Sequence, residues 1–331
     1  MKKASYLFFM MSFILFGCGN NHNNESLYTI GIFQVNSAPH LNDAVEGFIK
    51  ALQDNGMVHG ENIILIKENA KGDISEAQKI AEGFVKSRVN LIAAVSTACL
   101  QAALNATHDI PIVFISVANP YRAGAGYSSD EHLSHVTGVS SRGPIREGLY
   151  FLKEVLPEIS KIGTLWTPSE LNSEYYLEIM REVAAELGLE MESVPIVNSS
   201  EVLLSSQLLI SKGVKAIYQI SDNTINDSFE AVAQIALDNE IPLFGGFPLS
   251  ARLGACAAVG WDFIDMGYKS GKIVVEIKNG KSPGEIPFQY MEKAELYINL
   301  EAASKQRVEF SEEIVRKADK VFVSIGNDNS E

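Results

Sequence analysis

Tyr28-Thr-Ile-Gly-Ile-Phe-Gln-Val35, followed by Asn36-Ser-Ala-Pro39 and then by Leu41, Val45, Phe48, Ile49 and Leu52, is the stretch that decides the fold. The first eight residues read as an apolar strand and the Asn-Ser-Ala-Pro segment as a turn. The spaced apolar residues form one face of a helix that ends near Asn55-Gly56. This β-then-α unit recurs along the chain. Strands are predicted over 62–67, 90–95 and 112–117, with helices over 75–86 and 98–107. A second run of the same rhythm begins after Val136-Thr-Gly-Val139. Its helices are predicted over 144–155, 173–187, 200–211 and 226–238, and its strands over 161–166, 190–195, 216–220 and 241–244. A strand over 255–259 and a long helix over 263–278 follow. Short apolar strands alternating with helices predict parallel sheets covered on both faces. The expected architecture is α/β, with two similar Rossmann-like lobes and a cleft between them.

The N-terminus addresses the compartment. Lys2 and Lys3 precede an apolar run from Tyr6 to Phe16, and Gly17 stands directly before Cys18. A basic start, an apolar core and a small residue at the cut are the layout of a secretory signal. The run is shorter than the about 20 residues a spanning helix needs. Leu15-Phe16-Gly17-Cys18 resembles a bacterial lipobox, in which the cysteine is lipidated and becomes the new N-terminus. Residues 19–26 are a polar tether without apolar periodicity. The expectation is therefore a signal peptide over 1–17, a tether over 18–26 and an exported body anchored to a membrane by lipid, facing the periplasm or the cell exterior.

Composition narrows the partners. The 27 basic residues of the chain, less Lys2 and Lys3, leave 25 against 41 acidic ones, a formal charge of −16 for the processed form. So acidic a body argues against nucleic acid, whose phosphates call for a basic patch. Cys99 and Cys256 both lie in apolar, small-residue settings and read as core thiols rather than as a disulfide framework. About 300 residues exceed what one core usually holds, which again gives two domains.

Ligands of open parallel sheets sit at the carboxyl ends of the strands, so the residues there are the binding candidates. Gln34 opens the first such loop. Ser96-Thr97 follow the third strand and begin a helix, where free N–H groups and the dipole favour a carboxylate. Asn119-Pro120-Tyr121 follow the fourth strand. In the second half, Trp166 leads through Thr167-Pro168 to Asn172-Ser173, and Ile220 leads to Ser221-Asp222-Asn223-Thr224. Asp222 caps the next helix or meets a ligand ammonium. Gly245-Gly246 permit a close approach of backbone to ligand. Carboxylate-receiving groups in one lobe and an acid in the other make an amino-acid clamp.

Enzyme signatures are missing. The chain has no Gly-x-Gly-x-x-Gly after its first strand, no phosphate-binding Gly-x-x-x-x-Gly-Lys-Ser/Thr motif and no Gly-x-Ser-x-Gly elbow. His132 and His135 lack the Cys or carboxylate company of a metal site and read as a polar loop. No cofactor, metal or catalytic residue is expected.

With these residues in place, the chain resembles the ABC-transporter substrate-binding proteins of the type I periplasmic-binding fold that include tryptophan- and tyrosine-binding lipoproteins. The resemblance rests on Ile30-Gly-Ile32, Ala44-Val-Glu-Gly-Phe48, Asn55-Gly-Met-Val-His-Gly-Glu-Asn62 and Asp109-Ile-Pro-Ile-Val-Phe114. It continues through Asn119-Pro120, Val136-Thr-Gly-Val139, Leu156-Pro157, Asp222-Asn223-Thr224, Gly254-Ala255 and Ile298-Asn-Leu-Glu-Ala-Ala303. It implies capture of a small solute and its delivery to an ABC permease and ATPase complex, with ligand groups at Thr97, Asn119, Asn172, Ser173, Asp222 and Asn223. Two features depart from the family pattern where the pocket is expected. Asn119 stands where the family usually has Asp, and the loop over 34–41 lacks the usual His before its Pro.

The resemblance also implies a three-segment hinge, near 139–141, 261–263 and 287–291. The lobes would then span 27–139 with 262–289, and 140–261 with 290–331. The alternatives are a ligand-sensing module for a membrane receptor and an extracytoplasmic enzyme on the same scaffold. Cys18→Ala is expected to move the protein from the detergent phase to the aqueous phase of a two-phase extraction, or to leave it unprocessed. Wild type found in the aqueous phase would remove the lipid anchor.

Overall fold

The computed structural model describes residues 27–326; the predicted signal peptide, Cys18 and the tether lie outside them. The first half runs β1 (Tyr28–Gln34), α1 (Pro39–Asp54), β2 (Ile63–Asn69), α2 (Ile74–Lys86), β3 (Leu91–Val95), α3 (Thr97–Ala106), β4 (Ile112–Val117) and β5 (Val136–Ser140). The second half repeats the plan. It runs α4 (Ile145–Val155), β6 (Lys161–Trp166), α5 (Leu171–Glu186), β7 (Glu190–Pro195), α6 (Val202–Ser211), β8 (Ala216–Gln219), α7 (Asn223–Asn226), α8 (Phe229–Asp238), β9 (Leu243–Gly245) and β10 (Ala257–Gly260). Their sheets are ordered β2-β1-β3-β4-β5 and β7-β6-β8-β9-β10, so each strand has a counterpart at the same place in the other sheet.

The last part of the chain serves both sheets. α9 (Phe263–Lys278) packs against α1, and β11 (Gln289–Tyr290) extends the first sheet beside β5. β12 (Glu295–Asn299), α10 (Leu300–Lys305), α11 (Glu312–Lys317) and β13 (Lys320–Phe322) finish the second. β12 runs antiparallel to β10, with Ile298 opposite Ala257; the other pairings are parallel. The chain passes between the sheets after Ser140, after Gly260 and after Tyr290.

β3 and β4 are buried at every residue because helices cover both of their faces, which is why they read as unbroken apolar runs. The helix predicted over 226–238 is instead two, α7 and α8. The Asp222 carboxylate accepts the N–H of Ile225 and starts a short helix early. The strand predicted over 241–244 begins at Leu243, past Pro242, which has no N–H to give a ladder. β5 and the short elements after 288 were not predicted. Cys99 and Cys256 are free and buried in different lobes, and burial pushes both thiols up to about 12, so neither forms a thiolate near neutral pH.

α9 meets α1 at glycines. A Cβ on Gly47 would lie 1.9 Å from the Ile264 carbonyl oxygen, and one on Gly267 would lie 1.9 Å from that of Ala44. Only hydrogen fits at either point, so the helices touch backbone to backbone. Gly47→Ala and Gly267→Ala are each expected to lower stability by about 1–3 kcal/mol in urea unfolding. Gly83→Ala on α2, where a Cβ meets nothing within 4 Å, should instead gain up to about 1 kcal/mol of helix propensity. Equal effects at the three glycines would contradict the close packing.

Candidate functional site

Each sheet reverses its winding order once, between β1 and β3 in the first and between β6 and β8 in the second. At such a point the two following loops part and leave a crevice. The loops after these four strands face each other across the cleft and carry most of the residues considered below.

In the first lobe, Gln34 does not reach into the cleft. Its Nε2 donates to the Asn36 carbonyl (2.6 Å) and to Asn42 Oδ1 (2.8 Å), folding the loop back on its own lobe. Asn36, buried between the lobes, donates from Nδ2 to the Asn223 carbonyl of the second lobe (2.8 Å). Ser96 adopts φ 101° and ψ 164°, a region almost reserved for glycine. Its N–H is held by the Ile115 carbonyl, and its Oγ accepts the N–H of Cys99. The strain turns strand into helix within one residue, leaving the N–H groups of Thr97 and Ala98 at the cleft. Thr97 Oγ1 accepts the N–H of Ala118 (3.4 Å).

In the second lobe, Asp222 and Glu170 are both buried but differ in where they are engaged. Asp222 accepts from Thr167 N (2.8 Å), Thr167 Oγ1 (3.1 Å) and Ile225 N (2.9 Å), all of its own lobe. Burial first, and the nearby Glu170 charge second, raise its carboxyl well above the usual range. Ser173 Oγ accepts the same Thr167 N–H (3.0 Å). Glu170 accepts from Asn172 Nδ2, Asn223 N, Asn223 Nδ2, Thr224 N and Thr224 Oγ1, at 2.6–3.0 Å. It stands at the N-cap position of α5 yet makes no cap bond there, and reaches to the start of α7 instead. Asn172 Oδ1 and Asn226 Oδ1 are buried without a hydrogen-bond partner.

The remaining candidates lie elsewhere. Asn119 Oδ1 accepts the N–H groups of Tyr121 and Arg122 and closes its own turn. The Tyr121 hydroxyl bonds that of Tyr290 in β11, and its ring stacks on Phe288. The structure therefore brings Ser96, Thr97, Asn172, Ser173, Asp222 and Asn223 to the facing loops and puts Tyr121 beside the hinge strands. Asn36, His40 and Glu170 are additional. Glu170 was overlooked because an acid just before a helix reads as an ordinary cap.

A cavity of about 170 Å³ lies between the lobes, walled by Val35, Asn36, Lys71 and Ala98 on one side and by Glu170, Asn198, Asn223, Thr224 and Asp227 on the other. Outside it, Arg122 of the first lobe pairs with Glu178 on α5 (2.5 Å) and lies over the Tyr175 ring (5.2 Å). Both partners of that pair are exposed, so its contribution is about 1 kcal/mol or less.

The family model of the ABC transporter substrate-binding proteins matches residues 29–322. The chain belongs to that family. A relative, the tyrosine-binding protein of Clostridioides difficile strain R20291, is 36% identical over 297 residues, 86% of each chain. Among solved structures, the family domain from Streptococcus pneumoniae in complex with L-Trp superposes with a TM-score of 0.86 at 24% identity, over 90% of this chain and all of that one. The ligand-free, open structure of a Clostridium difficile substrate-binding protein with adhesive properties is 31% identical over the same share of both chains, with a TM-score of only 0.68. The substrate-binding protein described here has its lobes drawn together, as the Asn36–Asn223 and Arg122–Glu178 contacts show directly.

His40, the second residue of α1, fills the gap that closure leaves. Its ring lies 5.3 Å from that of Phe247 in the second lobe and 5.0 Å from that of Phe263, and its Nδ1 has no partner. Burial lowers its pKa to about 3, with a hydrogen bond to Asn223 pulling the other way. The packed site accepts the neutral ring only. Its stabilising effect is complete above the ordinary value near 6.5 and is lost as pH falls below it. Asp43, one turn along α1, is pushed up to about 6 by burial and by Glu46, takes up a proton in part of the same window and offsets that loss. The imidazole resonances of His40 in the closed protein should hold their neutral positions from pH 8 to pH 5. A midpoint near 6.5 would show a ring open to water.

Proposed function

We propose that this chain is the lipid-anchored, extracytoplasmic receptor of an ABC importer, that it closes on an aromatic α-amino acid and that it hands this solute to a permease rather than transforming it. The observation that carries the reading is the cavity formed where the loops of the two switch points meet. Its volume is below the several hundred Å³ of pockets that take drug-sized ligands, which suits one small solute.

The amino-acid class rests on the relative named for tyrosine binding and the neighbour solved with L-Trp. Following the crossings after Ser140, Gly260 and Tyr290, we assign the lobes to 27–140 with 261–290 and to 141–260 with 291–326, the anchor to Cys18, and ligand contact to Ser96, Thr97, Asn172 and Asn223. Ser96 supports this assignment, since strain of that kind concentrates at functional sites.

Isothermal titration of the processed protein with the twenty amino acids is expected to give binding by tyrosine, tryptophan or phenylalanine at micromolar Kd or tighter, about −8 kcal/mol. The same ligand should reduce the radius of gyration in solution scattering. A panel in which no amino acid binds would sink the reading.

A further inference from the structure

In so acidic a chain, one whole helix carries no charge. α6 reads Val-Leu-Leu-Ser-Ser-Gln-Leu-Leu-Ile-Ser over 202–211, and its buried side is Val202, Ser206 and Leu209, toward β6 and β7. Leu204 is 70% exposed, and Leu203 and Leu208 are about half exposed. Leu204 and Leu208 lie one turn apart, so the three leucines form one outward stripe. α2 holds the corresponding place in the first lobe, since each of the two helices follows the edge strand of its sheet. α2 turns Lys79, Glu82 and Lys86 outward. The fold therefore accepts a charged outer face at this place, and packing against the sheet does not call for the leucines.

The stripe leads to the mouth of the inter-lobe cavity. Val197, just before α6 and 77% exposed, borders that cavity together with Asn198 and Ser199. Its N–H donates to Glu201 Oε2 (2.9 Å), which ties it to the base of the helix. Ile74, the half-exposed first residue of α2, borders the same cavity from the first lobe. The two residues belong to different lobes, so they flank one opening only while the lobes are together. Closure thus carries the apolar stripe across the cleft, from Leu208 and Leu204 past Val197 to Ile74.

Size and charge narrow what covers this face. Five side chains fall well short of the about 20–30 residues a side of a stable specific interface, which argues against a permanent pairing of two copies. A helix that lies on a lipid surface carries Lys and Arg on its polar face. α6 has neither, and Lys212, directly after it, is paired with Glu192 (3.1 Å). An exposed apolar patch with a polar rim that suits neither of these marks a contact with another protein. Its place beside the cavity mouth fits a surface that receives what the cavity releases.

We propose that the leucine face of α6, joined at closure by Val197 and Ile74, is where this protein docks on the importer's membrane-spanning subunit, against an apolar, uncharged extracytoplasmic surface. This rests on the reading of the chain as an importer receptor. The contact is transient and lopsided. The second lobe supplies most of it, and the first lobe adds Ile74 only when the cleft is shut, so the partner distinguishes the closed form from the open one.

The test separates transport from binding. Cells whose single copy of the chain is wild type, Leu204→Lys, Leu204→Ser or Glu82→Lys are assayed for chain-dependent uptake of radiolabelled L-tyrosine, L-tryptophan and L-phenylalanine. Calorimetry measures binding of the same three by the purified proteins. Leu204→Lys is expected to lower uptake by about tenfold or more, as a charge forced into a contact hot spot does, with binding held within about twofold. Leu204→Ser should lower uptake less, and Glu82→Lys, which places the same cation on α2, should leave it at the wild-type level. Unchanged uptake in Leu204→Lys, an equal loss in Glu82→Lys, or binding lost in step with uptake would overturn the docking face. So would a wild-type dimer that Leu204→Lys dissociates in sedimentation, which gives the face to a second copy. Flotation of the unlipidated protein with phosphatidylglycerol–phosphatidylethanolamine vesicles, abolished by Leu204→Lys, would give it to lipid instead. Wild type that binds none of the three amino acids, or binds without importing, would overturn the receptor reading itself. Should Leu204→Lys melt at a lower temperature than wild type, Leu204→Ser decides by the same comparison of uptake with binding.

Discussion

A parallel sheet wound by right-handed crossovers can carry helices on both faces only if its winding reverses once, and at that reversal two loops diverge with their backbone ends uncovered. This chain meets the constraint twice with the same strand order, after β1 and β3 and again after β6 and β8. The rest of the molecule follows from setting those two openings face to face. Asn36 spans them, Ser96 is strained to keep a helix start at one, and Asp222 and Glu170 are buried to shape the other.

Polar groups hold this cleft, and their energetics explain its form. Hydrogen bonds exchanged with water contribute only about 1 kcal/mol net each, while a buried group left unpaired costs more than that. The second lobe answers by saturating its two acids with donors from its own loops, so that the wall keeps its shape when the lobes part. The first lobe instead stores strain at Ser96 and leaves neutral His40 between Phe247 and Phe263. One wall is braced and the other is sensitive to whatever enters.

Much of the fold was legible because its strands are apolar runs punctuated by Pro, Gly or Asn. The predictions over 112–117, 161–166, 190–195 and 263–278 coincide with β4, β6, β7 and α9 residue for residue. β12 and β13 are partly exposed at the sheet's margin and lack such runs, so they left no comparable signal. The candidate loops could be located for the same reason as the strands they follow. Which way their side chains turn could not. Asp222 faces inward because Thr167, 55 positions earlier in the chain, offers two donors. Glu170 reaches α7 because Asn223 and Thr224 offer four. Such pairings are fixed by distance in space, and neither periodicity nor capping rules record them.

The glycine contact between α1 and α9 bears on the order of assembly. α1 is complete at Asp54, but the helix that covers its Gly47 face begins at Phe263, more than two hundred residues later. Until that segment has been synthesised, the first half of the chain keeps a bare backbone-lined groove and an unfinished sheet edge beside β5. Contacts of such long sequence separation form slowly, since loop closure must precede them. The nascent first half thus lacks part of its native packing until the segment from Phe263 has emerged, and a chain segment short of its final packing is easier to thread through a narrow channel.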